Sequence, residues 1–350
     1  MKKLTAILLC VIMILYISGC NNDKNPEYVR YTESFIDYFD TVATVMGDEA
    51  DSDTFNAIAD EVETMLKKYH EFFDIYNSYE GLNNVYTINQ NAGIEAVVVD
   101  KEIIEFLDFS KEMCELTEGK TDITFGAVFK IWHDKRDYGI KNPDKATLPD
   151  LDELDDAKVK TGFDKVVIDR DHSSVYITEK GVSLDVGAIA KGYATEKIAQ
   201  HLEAKGISGY ALNIGGNLRS IGQYKRNGSN WTAAIADPDG EGYIMNIYLD
   251  KKSFVTSGSY QRFYIVDGVN YHHIIDTDTL FPSKFFTSVS VLTDNSSRAD
   301  ALSTALFCMS LKDGLELIES LADTEAVWVD AKGKCYYSSG FEKSVFTAEE

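Results

Sequence analysis

The segment Ser183–Tyr193 reads Ser-Leu-Asp-Val-Gly-Ala-Ile-Ala-Lys-Gly-Tyr, and the fold is best predicted from this stretch outward. Two short apolar runs around a polar turn precede it, and apolar residues at helical spacing follow it up to Leu202. Gly206 then stands where a helix is expected to stop. The pattern therefore predicts a strand, a tight turn at Gly187 and a helix over 189–205.

Lys191 falls in the first turn of this predicted helix, where a cation is unfavourable because the amino end already carries partial positive charge. An anion at the same place removes the conflict, since free N–H groups, the helix dipole and Lys191 would together hold a phosphate. Asp185, just before the turn, is placed to accept from a hydroxyl or amine of the same ligand. A helix that only happens to begin with a lysine is the alternative.

Four motifs of this chain resemble those of one family and follow in that family's order. The first is Asp-x-x-x-x-Ala-Lys-Gly-Tyr, which spans Asp185–Tyr193. The others are Ala211–Asn217, Thr256–Tyr260 with His272–Asp276, and Ala299–Ala305. Together they resemble the ApbE family of FAD-dependent protein FMN transferases, and the resemblance runs from about residue 39 to the end of the chain.

Length and charge limit the possible function classes. The chain has 350 residues, a hydrophobic content of 44% and a formal net charge of −23. This length suits one large domain or two modest ones, and the apolar fraction can build a core. The negative charge argues against nucleic acid or an anionic membrane surface as a partner, because both would repel the protein.

The N-terminal residues predict a lipoprotein signal. Two lysines precede an apolar run over 4–17 that is too short for a stable transmembrane anchor. Ile17–Cys20 resembles a bacterial lipobox, in which the thiol of Cys20 takes a diacylglycerol. We therefore predict a signal peptide over 1–19, lipidation of Cys20, and a membrane contact only through this anchor at the extracytoplasmic face of a bacterial cell membrane. An ordinary signal peptide with a coincidental cysteine is the alternative.

Antiparallel strand pairs mixed with long helices predict an α+β or mixed α/β fold. We expect a polar tether over 20–30 and an ApbE-like flavin transferase domain over 31–350. The resemblance implies a T-fold-like architecture with antiparallel sheets and packed helices, in two α/β halves that hold the flavin in a cleft between them. A single strand is expected over 31–46 and a long amphipathic helix over 55–76.

The resemblance implies several contacts with the flavin nucleotide. Phe39 lies in the motif that often reads Met-Gly-Thr in the family, which places it beside the flavin. A later loop carries an aromatic residue that contacts the flavin, and both Tyr76 and Tyr79 qualify, so this choice stays open.

A second nucleotide motif, Gly-Ala-Phe-Asp-Ile-Thr in the family, corresponds to residues 119–124. Lys120 and Thr121 stand where Ala and Phe are common in the family. Backbone groups here, together with Asp122, would bind the adenosine part of FAD. The alternative for Asp122 is an Asx cap in a simple turn.

Two adjacent histidines, His272 and His273, cannot both serve one site from a single strand, because their side chains leave on opposite faces. By family position His273 takes the functional role, as the base that removes a proton from an acceptor hydroxyl. Ile275 shares its strand face and would pack on the flavin. A hydrogen-bonded structural imidazole is the alternative. Downstream, the loop Asp276–Pro282 lacks the Pro and Gly found in the family. Its backbone is therefore expected to differ from the family's, and the fit of the acceptor protein would change with it.

A metal site is predicted on the helix expected over 297–309. Asp300 and Thr304 are four residues apart and therefore share one helical face. Carboxylate and hydroxyl oxygens are ligands suited to Mg²⁺. The resemblance implies the backbone carbonyl of Ala188 as a third ligand. The alternative is an aspartate in the first helical turn that only complements the helix dipole.

Together with these residues, the resemblance implies Mg²⁺-dependent transfer of the FMN moiety of FAD to a Thr or Ser hydroxyl of an acceptor protein, with release of AMP. FAD is then a substrate and not a redox cofactor. The acceptor would be an extracytoplasmic electron-transfer flavoprotein or a subunit of a redox complex. Two alternatives stay open, an FAD pyrophosphatase that gives FMN and AMP and a non-catalytic flavin-binding lipoprotein.

Overall fold

A computed structural model describes residues 27–236, 242–260 and 262–341. Cys20, the predicted signal peptide and most of the predicted tether lie outside the described residues. Within the described ranges, α-helices and antiparallel β-strands are mixed along the chain, which confirms the predicted fold class. The division of 31–350 into two α/β halves stays a prediction.

The helices and strands have the following bounds. The helices are α1 (Ser52–Phe73), α2 (Val85–Gln90), α3 (Lys101–Leu116), α4 (Gly126–Lys141), α5 (Leu151–Lys158), α6 (Ala190–Ala204), α7 (Ser296–Phe307) and α8 (Leu311–Glu319). The strands are β1 (Val29–Tyr38), β2 (Thr41–Glu49), β3 (Val97–Val98), β4 (Val166–Asp169), β5 (Ser174–Ile177), β6 (Tyr210–Ile214), β7 (Asn217–Ile221), β8 (Trp231–Ala236), β9 (Tyr243–Leu249), β10 (Ser253–Gly258), β11 (Phe263–Val266), β12 (Val269–His272), β13 (Ser288–Thr293), β14 (Glu325–Val329) and β15 (Cys335–Tyr337).

One antiparallel sheet organises the molecule, in the strand order β1-β2-β6-β7-β10-β13-β14-β15. Because side chains alternate between the two faces of a strand, the sheet buries two separate clusters. On β10, Val255 joins the large cluster that also contains residues of α1, α6 and α7, whereas Phe254 joins the cluster under the β8–β9 hairpin. The helices α6 and α7 therefore lie on one face of the sheet and the hairpin lies on the other.

The prediction of a single strand over 31–46 is wrong, because the structure has a hairpin there. Phe39 and Asp40 form its turn with φ values of 55° and 52°, and Tyr38 pairs with Thr41. The sequence pattern did not indicate this turn, since no Gly or Asn stands at the positions that need positive φ.

The opening segment also differs in part from its prediction. The helix expected over 189–205 is confirmed as α6. The strand expected before Gly187 is reduced to one isolated bridge, between Ser183 and Phe125. The N–H of Asp185 donates to the carbonyl of Ile123 at 2.8 Å, so this segment lies against the loop that precedes α4.

Hydrogen bonds to backbone carbonyls connect the turns near one end of the sheet. The N–H of Gly215 donates to the carbonyl of Val42 at 3.1 Å. Arg262 donates from Nη2 to the carbonyl of Asp40 at 3.2 Å. These bonds bring the β1–β2 turn, the β6–β7 turn and the segment before β11 to one place. In the part of the chain that is described, no helix has both the length and the apolar character needed to cross a membrane.

Candidate active site

Helices α6 and α7 approach each other so closely at Gly192 that a backbone group of one reaches a carboxylate of the other. The N–H of Gly192 donates to Oδ2 of Asp300 at 2.8 Å. A Cβ atom at residue 192 would lie 2.4 Å from both the Cβ of Asp300 and the carbonyl oxygen of Ser296, which is closer than side chains pack. Glycine at this position therefore permits the contact between the first turn of α6 and Asp300.

Lys191 and Asp300 meet at this crossing. The Nζ of Lys191 lies 3.8 Å from Oδ2 of Asp300 and 3.4 Å from the carbonyl of Gly187. Asp300 is 4% exposed. Burial raises the pKa of its carboxyl, while Lys191, the N–H of Gly192 and the amide of Asn217 act in the opposite direction. The predicted phosphate lysine and the predicted metal carboxylate are thus neighbours.

Hydroxyl groups surround the following turn of α7. The Oγ of Ser257 lies 2.8 Å from the Oγ of Ser303 and 3.4 Å from the Oγ1 of Thr304. Ser303 donates in turn to the carbonyl of Asp300 at 3.0 Å. Ser257 belongs to β10, so the strand beneath the helix helps to position the Thr304 hydroxyl. No local sequence pattern indicates this contact, because Ser257 and Thr304 are far apart in the chain.

The residues at this crossing fit a magnesium ion. The carboxylate of Asp300 is buried, and the Oδ1 of Asn217 is buried without a hydrogen-bond partner among the described residues. A cation would offset the cost of burying the Asp300 charge and would give the Asn217 oxygen a partner, directly or through a bound water. Within the described ranges, no group of three or more His, Cys, Asp and Glu side chains could hold a metal. Hydroxyl, amide and backbone oxygens would therefore complete the site, as Mg²⁺ accepts.

The two adjacent imidazoles have different surroundings. His272 is buried, its Nε2–H donates to the carbonyl of Ser283 at 2.8 Å, and its Nδ1 accepts from the N–H of Ile274 at 3.2 Å. His273 follows the end of β12 and is half-buried, with Nδ1 3.2 Å from the carbonyl of Arg262. Since a carbonyl only accepts, Nδ1 of His273 carries the proton and Nε2 keeps its lone pair. Burial, and then the Arg262 charge, lower the pKa of His273 to about 3.

The motif at 119–124 is fixed to the rest of the protein by its side chains. Lys120 Nζ lies 2.7 Å from Oδ1 of Asp276 and 2.7 Å from Oδ2 of Asp278. The hydroxyl of Thr121 is buried and donates to the carbonyl of Ala301 at 2.8 Å. Both side chains are thus used within the protein, so contacts of this motif with a nucleotide fall to backbone groups and to Asp122.

Asp122 forms the Asx turn that the sequence left open as an alternative. Its Oδ1 accepts from the N–H of Thr124 at 2.8 Å and from the Thr124 hydroxyl at 2.7 Å. Burial raises the pKa of the Asp122 carboxyl against these two hydrogen bonds. The turn itself does not exclude a further contact with a nucleotide.

Sequence comparison places these motifs in a known family. The model of the ApbE family matches residues 37–328, which is most of the chain. The chain belongs to the ApbE family.

Curated and solved members of the ApbE family resemble the whole described fold. The FAD:protein FMN transferase of Treponema pallidum is 31% identical, over 81% of this chain and 80% of that protein. The one of Haemophilus influenzae is 26% identical over the full length of both. Among crystal structures, the ApbE protein of Thermotoga maritima has a TM-score of 0.78 and 28% identity, over 91% of this chain and 100% of that one. The flavin transferase ApbE of Vibrio cholerae has a TM-score of 0.76 and 26% identity, with the same coverage. These likenesses confirm the ApbE architecture.

A histidine that the ApbE motifs do not include lies beside Asp185. The Oδ1 of Asp185 accepts from the N–H of Gly187 at 3.0 Å, and its Oδ2 lies 3.8 Å from Nδ1 of His133. Burial lowers the pKa of His133, although the Asp185 charge opposes this shift. His133 is on α4 and was missed by sequence reasoning, because the helical pattern around it gives no sign of its distant neighbour Asp185.

Tyr76 and Tyr79, the two candidates for the aromatic contact with the flavin, have different surroundings in the structure. The hydroxyl of Tyr79 donates to Oδ2 of Asp74 at 2.8 Å, which holds that ring against its own loop. The side chain of Tyr76 is 61% exposed, and its hydroxyl lies 3.5 Å from Nδ1 of His133. Tyr76 is therefore the tyrosine whose ring is accessible next to the His133–Asp185 pair.

Phe39 and Ile275, the two apolar residues assigned to the flavin, differ in accessibility. The N–H of Phe39 donates to Nδ1 of His70 at 3.2 Å, and its ring lies edge-on to that imidazole in the β1–β2 turn. Ile275 is 5% exposed and packs in a third apolar cluster with Trp132 and Leu280. Phe39 presents more surface for a ligand than Ile275 does.

The loop that departs from the ApbE pattern has an unusual leucine. Leu280 stands where the family has Gly and adopts a φ of 61°, in the left-handed region that favours glycine. Its carbonyl accepts from Nε1 of Trp132 at 2.8 Å, and its side chain is 5% exposed. Apolar burial and this hydrogen bond offset the backbone strain, so the loop holds a glycine-like conformation without glycine.

Proposed function

We propose that this chain transfers the FMN moiety of FAD to a hydroxyl group of an acceptor protein and releases AMP. One observation carries the proposal, the meeting of Lys191, Asp300 and the first turn of α6 in a chain whose curated relatives are named FAD:protein FMN transferases. A lysine and a helix amino terminus favour a phosphate, and the buried carboxylate favours a cation that accompanies it.

The proposed reaction is one phosphoryl transfer. The acceptor hydroxyl oxygen, of a Thr or Ser, forms a bond with the phosphorus of the FMN half of FAD. The bond from that phosphorus to the bridging oxygen breaks, and AMP leaves with that oxygen. The proton of the hydroxyl passes to Nε2 of His273, whose lone pair is available because Nδ1–H faces the Arg262 carbonyl.

The low pKa of His273 bears on this role in two ways. A pKa of about 3 keeps the His273 imidazole neutral at ordinary pH, so the ring is able to accept a proton. A base this weak takes up a proton poorly, however, because the ideal catalytic pKa lies near the working pH. The negatively charged diphosphate of bound FAD would raise the pKa of His273, since a nearby opposite charge favours the imidazolium. We therefore propose that the substrate itself raises the basicity of His273.

The residues around the α6–α7 crossing would hold the charged part of the substrate. Lys191 would bind and orient the diphosphate together with the dipole of α6, since the N–H groups of Ala190 and Gly192 already donate to Val186 and Asp300. Asp300, Thr304 and the carbonyl of Ala188 would hold Mg²⁺, which when bound neutralises phosphate charge as AMP departs.

The other predicted residues would contact the remaining parts of the nucleotide. Asp185 and Asp122, with the backbone of 119–124, would accept from the adenosine part. Phe39 and the accessible ring of Tyr76 would contact the flavin, and Ile275 would support it from the third apolar cluster.

We also propose that the protein works as a lipid-anchored enzyme outside the cytoplasm. The lipobox-like Ile17–Cys20 supports this location. The acceptor would then be an extracytoplasmic electron-transfer flavoprotein or redox-complex subunit.

Intact-mass analysis of a candidate acceptor, incubated with FAD, Mg²⁺ and this protein, tests the proposal. We expect a mass gain of one FMN group, lost in excess chelator and in Asp300→Ala. Asp294→Ala, an exposed aspartate just before α7, is the matched control and should transfer normally. Free FMN with no acceptor adduct would favour the pyrophosphatase. If neither the adduct nor free FMN formed, both the transferase and the pyrophosphatase would be contradicted.

A further inference from the structure

Asn217 carries a buried polar atom that the protein itself does not satisfy. The residue begins β7 directly after the Gly215–Gly216 turn and is 1% exposed. Its Nδ2 donates to the carbonyl of Ile214 at 3.2 Å. Its Oδ1 has no hydrogen-bond partner among the described residues. A buried amide oxygen without a partner costs free energy, so an apolar residue would be favoured here unless the oxygen had a partner in the working protein.

The strand register shows where this side chain lies. Asn217 is paired with Val255 of β10, and residues directly opposite each other share one face of a sheet. Val255 belongs to the cluster shared with α6 and α7. Arg219, two residues further along β7 and therefore on the same face, is ion-paired with Glu196 of α6 at 3.3 Å. Asn217 therefore faces the two helices that cross at Asp300.

Asn217 is close enough to Asp300 to act on its carboxylate. The Asn217 side chain is one of the groups that act to lower the pKa of the Asp300 carboxyl, so its amide lies near that carboxylate. One amide N–H donates to Ile214, and Oδ1 stays buried without a partner among the described residues. Ser257, two residues beyond Val255 on β10 and therefore on the same face, brings its hydroxyl to 3.4 Å from that of Thr304. All of these are oxygen groups of the kind that surrounds a hydrated magnesium ion.

We infer that Asn217 is a further residue of the cation site, where its amide N–H orients the Asp300 carboxylate and its Oδ1 accepts from a metal-bound water. This inference rests on the proposed function, since the cation is the Mg²⁺ proposed for Asp300 and Thr304. Groups that orient a metal ligand or its water typically change metal affinity by about 10- to 100-fold. Asn217 is thus a positioning residue for the cation.

Metal affinity, measured without substrate, tests this role. Mg²⁺ is titrated into the full chain by calorimetry, and the thermal midpoint is measured with and without Mg²⁺. Asn217→Leu, which is similar in size but has no polar atom, should bind Mg²⁺ about 10- to 100-fold more weakly. Asn217→Asp keeps an oxygen acceptor and adds charge beside Asp300. It should therefore lower the thermal midpoint without metal, and show a larger Mg²⁺-dependent rise than the wild type.

A matched control lies on the neighbouring strand. Asn213 of β6 accepts from the N–H of Gly216 at 2.9 Å, and it is paired with Leu218, whose side chain packs in the cluster under the β8–β9 hairpin. Asn213→Leu therefore disturbs the same turn from the other face of the sheet, and its Mg²⁺ affinity should equal that of the wild type.

The outcomes separate this inference from the proposed function. The proposed cation site itself would be overturned if the wild-type protein bound no Mg²⁺, or if the Asp300→Ala variant bound Mg²⁺ with the same affinity as the wild type. If Asp300→Ala abolishes binding while both Asn217 variants bind like the wild type, only the role of Asn217 is overturned. An Asn217→Asp variant that loses stability without recovering it in Mg²⁺ would overturn that role too, since the amide would then serve only the fold.

Discussion

His272 and His273 are adjacent in the chain, but only His273 keeps a ring nitrogen available for chemistry. Both ring nitrogens of His272 are used inside the protein. We therefore expect His273→Ala to slow FMN transfer by about a hundredfold to ten-thousandfold, the usual effect of losing a general base, while FAD affinity stays close to that of the wild type. FAD affinity and transfer rate are measured for His273→Ala, with His272→Ala as the neighbouring control that should lose stability more than transfer. Near-normal transfer by His273→Ala would mean that another group is the base.

The pKa of His273 also predicts how stability depends on pH. Folding lowers this pKa from an ordinary value of 6.5 to about 3. Between these two values the unfolded chain binds more protons, so the free energy of unfolding rises with pH across this window and levels off above it. His273→Gln removes the titration and should flatten this part of the profile. Urea unfolding of both proteins at several pH values checks this, and parallel profiles would contradict it.

The α6–α7 crossing depends on the absence of a side chain at residue 192. Helix propensity alone favours Ala over Gly by about 1 kcal/mol in a helix interior. A Cβ at this position would nevertheless lie 2.4 Å from Asp300 and Ser296 atoms, so the helices must move apart. We expect Gly192→Ala to destabilise the protein by about 1–3 kcal/mol, as overpacked cores do, and to weaken Mg²⁺ binding by displacing Asp300.

Urea unfolding and Mg²⁺ titration measure both effects of Gly192→Ala. The control is Gly314→Ala in α8, where a new Cβ would lie 3.3 Å from side-chain atoms of Leu306 and Trp328 and needs only a small adjustment. It should cost less stability and leave Mg²⁺ affinity unchanged. A gain of stability in Gly192→Ala would mean that propensity outweighs the contact.

Several whole elements were predictable because their signals are local. The bounds of β8 and β9 coincide with the apolar alternation over 231–236 and 243–249. The β1–β2 turn was not predictable in the same way, since Phe39 and Asp40 adopt positive φ without the residues that normally mark it. The surrounding hairpin and its contact with Arg262 hold this turn.

At the scale of the whole molecule, the position of the enzyme in the cell is expected to depend on one residue outside the described ranges. Cys20→Ala removes the thiol that would carry the lipid, so the protein would lose its membrane anchor. We expect the variant to leave the membrane fraction or to remain unprocessed, while purified protein starting after the tether transfers FMN normally. Fractionation and intact-mass analysis measure this, and unchanged processing and membrane retention would contradict lipidation.

The sequence by itself determined the mixed α/β class, the positions of α6 and α7, and the spacing that puts Asp300 and Thr304 on one helical face. These features depend on periodicity and capping within a few residues, so they can be read without the fold. Only the tertiary structure decided that Lys191 meets Asp300, that His133 stands beside Asp185, and that the amide oxygen of Asn217 is buried without a partner among the described residues. Such contacts join residues far apart in the chain. They arise from the packing of the helices on one large sheet, and no local pattern carries that information.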